Sequence, residues 1–143
     1  MALRFLLDTN VVAELTKPQA NPGVLQALAK HEAEGAIAAP TLEELVFGCR
    51  RLPPGARQDW LQRWLDGLPA RMPVLPFDQR AAAWLGAERA RLATQGRPAP
   101  RTDGEIAAVA VTQGLTLVTR NGRDFAGFDG LVVVDWHKRS GSG

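Results

Sequence analysis

Short apolar runs alternate with segments of helical periodicity along nearly the whole 143-residue chain. Each run is too short for a helix and is bounded by glycine, proline or polar residues, as buried strands are. Parallel strands need crossover connections and are buried on both faces, so this alternation predicts a parallel sheet covered by helices on both sides. The expected strands are residues 4–7, 35–40, 72–75, 115–119 and 131–134.

Helix starts and stops lie between these runs. Asn10 is expected to cap a first helix that ends before Lys17 and Pro18, and Pro22 opens a second helix. Further helices are expected at residues 41–51, 56–68, 78–94 and 102–112. These elements fill a single domain, residues 1–137. Residues 138–143 are rich in glycine and serine and are expected to be a flexible tail of the kind that cloning leaves behind.

The composition is that of an ordinary globular protein. Hydrophobic residues make up 45% of the chain and charged residues 22%, which excludes disordered, fibrous and disulfide-framework classes. Cys49 is the only cysteine, so it forms no internal disulfide and does not indicate a zinc site. No apolar run is long enough to cross a membrane and the N-terminus lacks a signal-peptide pattern, so we expect a cytoplasmic protein.

Arginine dominates the basic residues, with 14 of the 17 basic side chains. Its planar guanidinium pairs bidentately with phosphate and carboxylate groups. The net charge is nevertheless only +2. Arginine richness therefore fits a polyanionic partner, and a genome that favours arginine codons explains it equally well.

Four acidic residues lie where a strand meets a helix or where a helix begins. Asp8 follows the first strand, Glu44 lies in the helix after the second, Asp103 opens the penultimate helix, and Asp124 follows the strand that ends at Thr119. The carboxyl ends of parallel strands form one edge of the sheet. We therefore expect these four side chains to converge although they are far apart in sequence.

Helix capping offers another explanation for each acid taken alone. Thr41 and Glu44 have the spacing of a capping box, as do Thr102 and Glu105. The last acid falls in the first turn of its helix, where the helix dipole favours negative charge. Capping explains Asp8 poorly, because Asp8 precedes the expected cap. The four acids together, rather than any one of them, indicate a site.

The expected cluster contains only carboxylates, an arrangement that is costly unless cations neutralise it. Hard oxygen ligands without cysteine or histidine select Mg²⁺ or Mn²⁺ over zinc or copper. Such an ion keeps several waters, binds phosphate oxygens and can promote phosphodiester hydrolysis. The pattern predicts a metal-dependent nuclease and leaves open whether one or two metal ions act.

Four ordered segments resemble the successive motifs of PIN-domain proteins and, within those, of the VapC-type toxins of bacterial and archaeal toxin–antitoxin pairs. They are LDTNVVAEL at residues 7–15, TLEEL at residues 41–45 with Gly48 following, TDGEIAA at residues 102–108 and TRNGRDF at residues 119–125. The match extends from about residue 3 to residue 136, nearly the whole chain. Four motifs in order are far more specific than any one of them.

This resemblance implies a three-layer α/β/α fold with a five-stranded parallel sheet and a Mg²⁺- or Mn²⁺-dependent ribonuclease site. The family's acidic positions correspond to Asp8, Glu44, Asp103 and Asp124. The three aspartates would bind metal directly or through water, and the glutamate would assist. The Thr-x-x-Glu-Leu register selects Glu44 over Glu43. Supporting polar positions correspond to Asn10, Thr119 and Asn121.

The resemblance also implies partners. RNA would be cut to leave 3′-hydroxyl and 5′-phosphate ends, and the chain would form a homodimer. A small antitoxin would wrap the toxin with its C-terminal segment and block the active site. Operator DNA would be bound only through that antitoxin.

Two other classes of function are weighed against the nuclease. The fold could be the non-catalytic subunit of a DNA-binding repressor complex, but the intact carboxylate set argues against this alternative. A phosphoacceptor receiver domain needs an acidic pair after its first strand and a lysine after a late strand. The chain has neither, because no lysine occurs between Lys30 and Lys138.

Several basic residues lie near the expected acidic edge. Arginines in the same loops as the acids are candidate ligands of substrate phosphates, namely Arg101, Arg120 and Arg123. Arg89 and Arg91 are expected on a solvated helix face. His31 and His137 lie outside every motif and are expected to be surface histidines.

Overall fold

The computed structural model describes residues 2–137. The strands are β1 (Phe5–Leu7), β2 (Gly35–Ala38), β3 (Val74–Leu75), β4 (Thr116–Val118) and β5 (Val133–Val134). The helices are α1 (Thr9–Glu14), α2 (Pro22–His31), α3 (Ala39–Arg50), α4 (Ala56–Arg71), α5 (Gln79–Thr94), α6 (Arg101–Gln113) and α7 (Gly122–Phe125), with a short 3₁₀ helix at Glu32–Glu34. The expected tail at residues 138–143 lies outside the described residues.

All five strands belong to one parallel sheet in the order β3-β2-β1-β4-β5. β1 is central, with Phe5 opposite Gly35 of β2 and Leu7 opposite Val118 of β4. The chain moves from β1 outward through β2 and β3, then returns to the other side for β4 and β5. The carboxyl ends of β1 and β4 therefore flank the point where the strand order reverses, which is where open α/β sheets bind ligands.

The side chains of β1 alternate between two hydrophobic cores. Leu6 packs with residues of α5, α6 and α7, whereas Phe5 and Leu7 pack with residues of α1, α2, α3 and α4. Successive side chains of a strand point to opposite faces, so both faces of the sheet are covered by helices. The predicted three-layer α/β/α fold with a five-stranded parallel sheet is confirmed. None of the helices within residues 2–137 combines the length and apolar character needed to cross a membrane.

The start of α1 differs from the expected one. The cap residue is Asp8 rather than Asn10, and the Asp8 Oδ1 atom accepts the Thr9 backbone N–H at 2.8 Å. Asn10 lies inside the first turn. α1 starts immediately after β1. Asp8 was expected to precede the capping residue, but its own carboxylate caps the helix.

Two expected capping boxes are absent from the described structure because proline starts the helices earlier. Pro40 lies in the first turn of α3, so Thr41 is already helical, and its buried hydroxyl has no partner within residues 2–137. Pro100 precedes α6 and makes no side-chain cap, so Thr102 is likewise inside its helix. The glutamates that follow are thus not engaged as capping partners.

The two histidines are packed rather than exposed on the surface as expected. The side chain of His31 is 18% exposed and that of His137 is 9% exposed. The His31 ring lies 4.9 Å from the Phe5 ring and stacks on Trp136. His137 lies against the buried carboxylate of Glu14, with 3.7 Å between Nε2 and Oε2. These contacts form because the chain after β5 folds back over α2, which local sequence does not reveal.

Truncation of the central strand should test this core. Leu7 is fully buried, whereas Leu25 on α2 is 46% exposed. We expect Leu7→Ala to lower the free energy of unfolding by about 2–5 kcal/mol, because it leaves a cavity at the centre of the sheet. Leu25→Ala should change it by less than about 0.5 kcal/mol. Urea denaturation measures both, and equal losses would contradict the core described here.

Candidate active site

Asp8 lies at the end of β1 and is almost completely buried, with 6% of its surface exposed. Its Oδ2 atom accepts hydrogen bonds from the Thr119 hydroxyl at 2.7 Å and from the Asn10 amide at 3.0 Å. Burial raises the pKa of the Asp8 carboxyl, the hydrogen bonds oppose that shift, and the charge of Asp124 adds to it. The side chain is therefore held in one orientation at the switch point of the sheet.

Asn10 and Thr119 join the loop after β1 to the loop after β4. The Asn10 Nδ2 atom lies 3.3 Å from the Thr119 hydroxyl, and its Oδ1 atom accepts the Arg120 backbone N–H at 3.1 Å. The Thr119 hydroxyl in turn accepts the Asn121 backbone N–H at 3.1 Å. Asn10 and Thr119 thus contribute side chains to this network, whereas Asn121 contributes its backbone. The Asn121 carbonyl accepts the backbone N–H of Asp124 at 3.0 Å.

Glu44 approaches the site from α3 and is held by Thr9. The Thr9 hydroxyl donates a hydrogen bond to Glu44 Oε1 at 2.5 Å. The negative charge of Glu44 also raises the pKa of Asp103, which places the two carboxylates within electrostatic reach of each other. Glu43 and Glu44 are both exposed, but only Glu44 contributes to the shift of the Asp103 pKa. The structure therefore directs Glu44, rather than Glu43, toward the cluster.

Asp103 lies in the first turn of α6, and a close contact between helices places it there. The next residue is Gly104, where a Cβ atom would lie 2.8 Å from Leu85 Cδ1 on α5. A side chain at this position would force the two helices apart. Glycine therefore allows α6 to approach α5 closely, and this approach positions the first turn that carries Asp103.

The four carboxylates are electrostatically coupled. Burial, followed by the charges of Asp8, Asp124 and Glu44, raises the pKa of Asp103 to about 6. Asp103 therefore lies within electrostatic reach of the other three acids, which come from separate segments. Asp8 and Asp124 are coupled as well. These are the four residues that we expected to converge at the carboxyl edge of the sheet.

The four acids offer only oxygen atoms as ligands, which is the type that hard divalent cations prefer. Within residues 2–137, none of the four carboxylates forms an ion pair with a basic side chain. In the same part of the chain, no three acidic, imidazole or thiol groups stand close enough together to hold one ion. Mutual repulsion is a physical reason for unneutralised carboxylates to stay apart. Carboxylate oxygens without cysteine or histidine beside them favour Mg²⁺ or Mn²⁺ over softer metals.

The arginines near the acidic residues have different surroundings. Arg120 and Arg123, expected at the acidic edge, line a cavity together with Thr119 and Asp135. The Arg101 side chain is 81% exposed and lies 3.9 Å from Glu105. Arg91, expected on a solvated face, is 37% exposed at its side chain and also makes two hydrogen bonds to the buried Glu88.

Sequence reasoning missed Thr9 and Gly104 as residues that position the site. The hydroxyl of Thr9 orients a glutamate 35 residues away. Gly104 has no side chain, and this absence lets α6 approach Leu85 of α5 closely. The signal for Gly104 was a glycine in the first turn of an otherwise regular helix, which often marks close packing.

Comparison with known proteins agrees with this fold. Residues 5–131 match the PIN domain family. The chain is 34% identical over 134 residues to the tRNA(fMet)-specific endonuclease VapC of Shigella flexneri, covering 94% of this chain and 98% of that protein. It is 35% identical to Toxin FitB of Neisseria gonorrhoeae, with 92% and 98% of the two chains covered.

A solved structure provides the same assignment. The crystal structure of DNA-bound VapBC from Salmonella typhimurium contains a chain that superimposes with a TM-score of 0.83 at 30% identity, covering 94% of this chain and 98% of that one. The chain belongs to the PIN domain family and, within it, to the VapC group. The family resemblance inferred from the four motifs is thereby confirmed.

The raised pKa of Asp103 makes stability depend on pH. The pKa of Asp103 is about 6 in the folded state, above the ordinary aspartate value of 3.8. Between pH 3.8 and about pH 6, the folded state therefore keeps a proton that the unfolded chain has lost. Stability should therefore fall as pH rises from about 4 to about 6. The side chain is partly exposed, and solvent screens repulsion, so Asp103→Asn should raise Tm by only roughly 2–5 °C at pH 7 in EDTA.

Calorimetry at pH 4 and pH 7 measures this difference in Tm. The matched control is Asp66→Asn on α4, because Asp66 is exposed and hydrogen-bonds only to Gln62 among the described residues. A gain for Asp103→Asn that is as large at pH 4 as at pH 7 would contradict the electrostatic explanation.

Proposed function

We propose that this chain is a divalent-metal-dependent endoribonuclease that acts as the toxin of a toxin–antitoxin pair. The observation that carries the proposal is the cluster of Asp8, Glu44, Asp103 and Asp124 at the switch point of the sheet. Its carboxylates repel one another and have no basic partner within residues 2–137. The likeness to a VapC endonuclease and to Toxin FitB supports the same activity.

The proposed metal ligands are Asp8, Asp103 and Asp124, with Glu44 assisting. A bound Mg²⁺ or Mn²⁺ ion would neutralise developing charge and activate water for attack on an RNA phosphodiester. Asp8 is already oriented for this role, because Thr119 and Asn10 hold one of its oxygens. Thr9 similarly orients Glu44. By resemblance, cleavage would leave 3′-hydroxyl and 5′-phosphate ends.

Asp103 should set the lower pH limit of the activity. A carboxyl must lose its proton before it can bind a cation, and the pKa of Asp103 is raised to about 6 in the metal-free protein. Metal binding and protonation therefore compete at this side chain. Burial also raises the pKa of Asp8, whereas Thr9, Asn10 and Thr119 supply hydrogen bonds from groups that do not titrate in this range.

The proposed partners are an RNA substrate, a second copy of the chain and a small antitoxin that blocks the active site. Operator DNA would be bound through the antitoxin. The likeness to a chain of the DNA-bound VapBC structure supports this assembly. A purely architectural role in a repressor complex would not require the mutually repulsive carboxylates, so the nuclease is the better explanation of the site.

Removal of a proposed metal ligand should abolish RNA cleavage. We expect Asp8→Asn and Asp103→Asn each to reduce the cleavage rate in Mg²⁺ or Mn²⁺ by at least ~10²-fold, because each removes a charged ligand without changing side-chain size. Asp66→Asn should cleave at the native rate. Gel analysis of a labelled RNA measures the rates. Cleavage in EDTA, or native rates in both site variants, would refute the mechanism.

Two adjacent glutamates provide a sharper comparison. Glu44→Gln keeps the hydrogen bond from Thr9 but removes the negative charge at the cluster, so we expect a loss of roughly 10-fold in cleavage rate. Glu43→Gln removes the same charge from an exposed position and should have no effect. The same gel assay distinguishes them. An equal loss for both variants would show that overall charge, rather than position, matters.

A further inference from the structure

A small cavity adjoins the acidic cluster on the side of α5. It has a volume of about 110 Å³ and is lined by residues of the turn between α5 and α6 and by residues of α7 and the turn after it. The polar side chains in its lining are Arg97, Arg123 and Asp124. Asp124 also belongs to the proposed metal site, so the cavity and that site are adjacent. The candidate phosphate ligands expected from the sequence included Arg123 but not Arg97.

The backbone fixes the position of Arg97. Gly96 ends α5 in a left-handed conformation with a φ of 66°, and the Arg97 backbone N–H donates to the Leu92 carbonyl at 2.9 Å. The Gly96 N–H donates to the Ala93 carbonyl at 3.1 Å. These two bonds form a Schellman motif, which stops the helix and sets the direction of the residue after the glycine. Pro98 then restricts the chain that follows.

The guanidinium of Arg97 rests against a glycine. A Cβ atom at Gly127 would lie 3.1 Å from Arg97 Nη2 and 3.6 Å from Leu92 Cδ2. The φ of Gly127 is not positive, so its backbone does not require glycine. The absence of a side chain at Gly127 therefore leaves room for the Arg97 guanidinium at the wall of the cavity.

The turn that carries Gly127 is itself tied to α5. Arg91 Nη2 donates to the Gly127 carbonyl at 2.8 Å, and the buried Glu88 accepts the backbone N–H of Asp129 at 2.7 Å. Phe128, between them, is buried. The wall against which Arg97 lies is thus fixed before any ligand binds, which lowers the cost of ordering the site.

The charge of the cavity favours an anion. Within residues 2–137, neither Arg97 nor Arg123 forms an ion pair. The lining thus contains two arginines and one aspartate, and a divalent cation held by the acidic cluster would offset the charge of Asp124. The volume suits one phosphate group rather than a whole nucleotide. Arginine forks match phosphate oxygens in geometry as well as in charge.

We propose that Arg97 and Arg123, with Gly127 as the seat of the Arg97 guanidinium, form a subsite for an RNA backbone phosphate next to the scissile one. This inference rests on the proposed function and extends it. The subsite would hold the strand beside the acidic cluster and would fix its register there. It contacts phosphate rather than bases, so it contributes affinity and position but no direct sequence preference.

RNA binding at varied salt tests the subsite directly. All variants are made in an Asp8→Asn background, which keeps the RNA intact, and fluorescence anisotropy with a single-stranded RNA is measured from roughly 50 to 300 mM KCl. We expect Arg97→Ala to weaken binding about 5- to 10-fold at low salt and to reduce the salt slope by about 0.7, the value for one phosphate contact on a single strand. Arg97→Lys should keep the slope.

Arg89→Ala is the matched control, because Arg89 is an exposed arginine on α5 outside the lining of the cavity. It should leave the salt slope unchanged. Equal slopes for Arg97→Ala and Arg89→Ala would overturn the subsite. The Mn²⁺-induced rise in Tm of the protein with native Asp8 should be unaffected by Arg97→Ala, since Arg97 is not a proposed metal ligand. Loss of that rise would also overturn the proposal.

Gly127→Val tests the seat of the guanidinium. Its Cβ atom would lie 3.1 Å from Arg97 Nη2 and its methyl groups would crowd the guanidinium, so binding should weaken when Arg97 is present and should not weaken further in Arg97→Ala. Additive losses would overturn the coupling. Polyglutamate and inorganic phosphate are also compared as competitors of RNA binding, with Arg97 present and in Arg97→Ala. If polyglutamate displaces RNA as strongly as phosphate does, and only when Arg97 is present, the ligand is an acidic protein and the phosphate subsite is refuted.

The two proposals fail in different ways. If the native protein cleaves no RNA but Arg97→Ala still lowers the salt slope, the subsite stands and the ribonuclease is refuted. If the native protein cleaves RNA and Arg97→Ala has the KM of the native protein, the ribonuclease stands and the subsite is refuted.

Discussion

The buried carboxylate of Asp8 is the constraint on which the rest of the site depends. It ends β1, caps α1 through its Oδ1 atom and accepts two side-chain hydrogen bonds through its Oδ2 atom. Burial makes its charge costly, and the hydrogen bonds from Thr119 and Asn10 reduce that cost. At Asp8 the two oxygens have different tasks: Oδ1 caps the helix, and Oδ2 accepts the hydrogen bonds that orient the carboxylate.

Much of this arrangement could be predicted from the sequence. The strands are short and apolar, so their existence and their parallel arrangement follow from pattern alone, and all five strands were expected. The convergence of Asp8, Asp103 and Asp124 follows from a general property of parallel sheets, and the four ordered motifs identified the family. These predictions needed only local composition and the rule that ligands bind at the carboxyl edge of the sheet.

The remaining features depend on contacts between residues that are distant in sequence. Thr9 orients Glu44 across 35 positions, and Gly127 seats the Arg97 guanidinium across 30. The same applies to His137, which packs against Glu14 only after the sheet has formed. The helix starts were missed for a local reason. Prolines at positions 40 and 100 set the beginnings of α3 and α6 earlier than the threonines that have the better capping side chains.

The sheet order also determines when the site can exist. β1 is made first, but its neighbour β4 begins only at Thr116, and the last acid follows at Asp124. A nascent chain that stops before β4 has a central strand without one partner, and Asp8 without the Thr119 hydroxyl. Pairing across so much intervening chain is also slow. The four acids can therefore come together only after Asp124 has been synthesised, because it is the last of them along the chain.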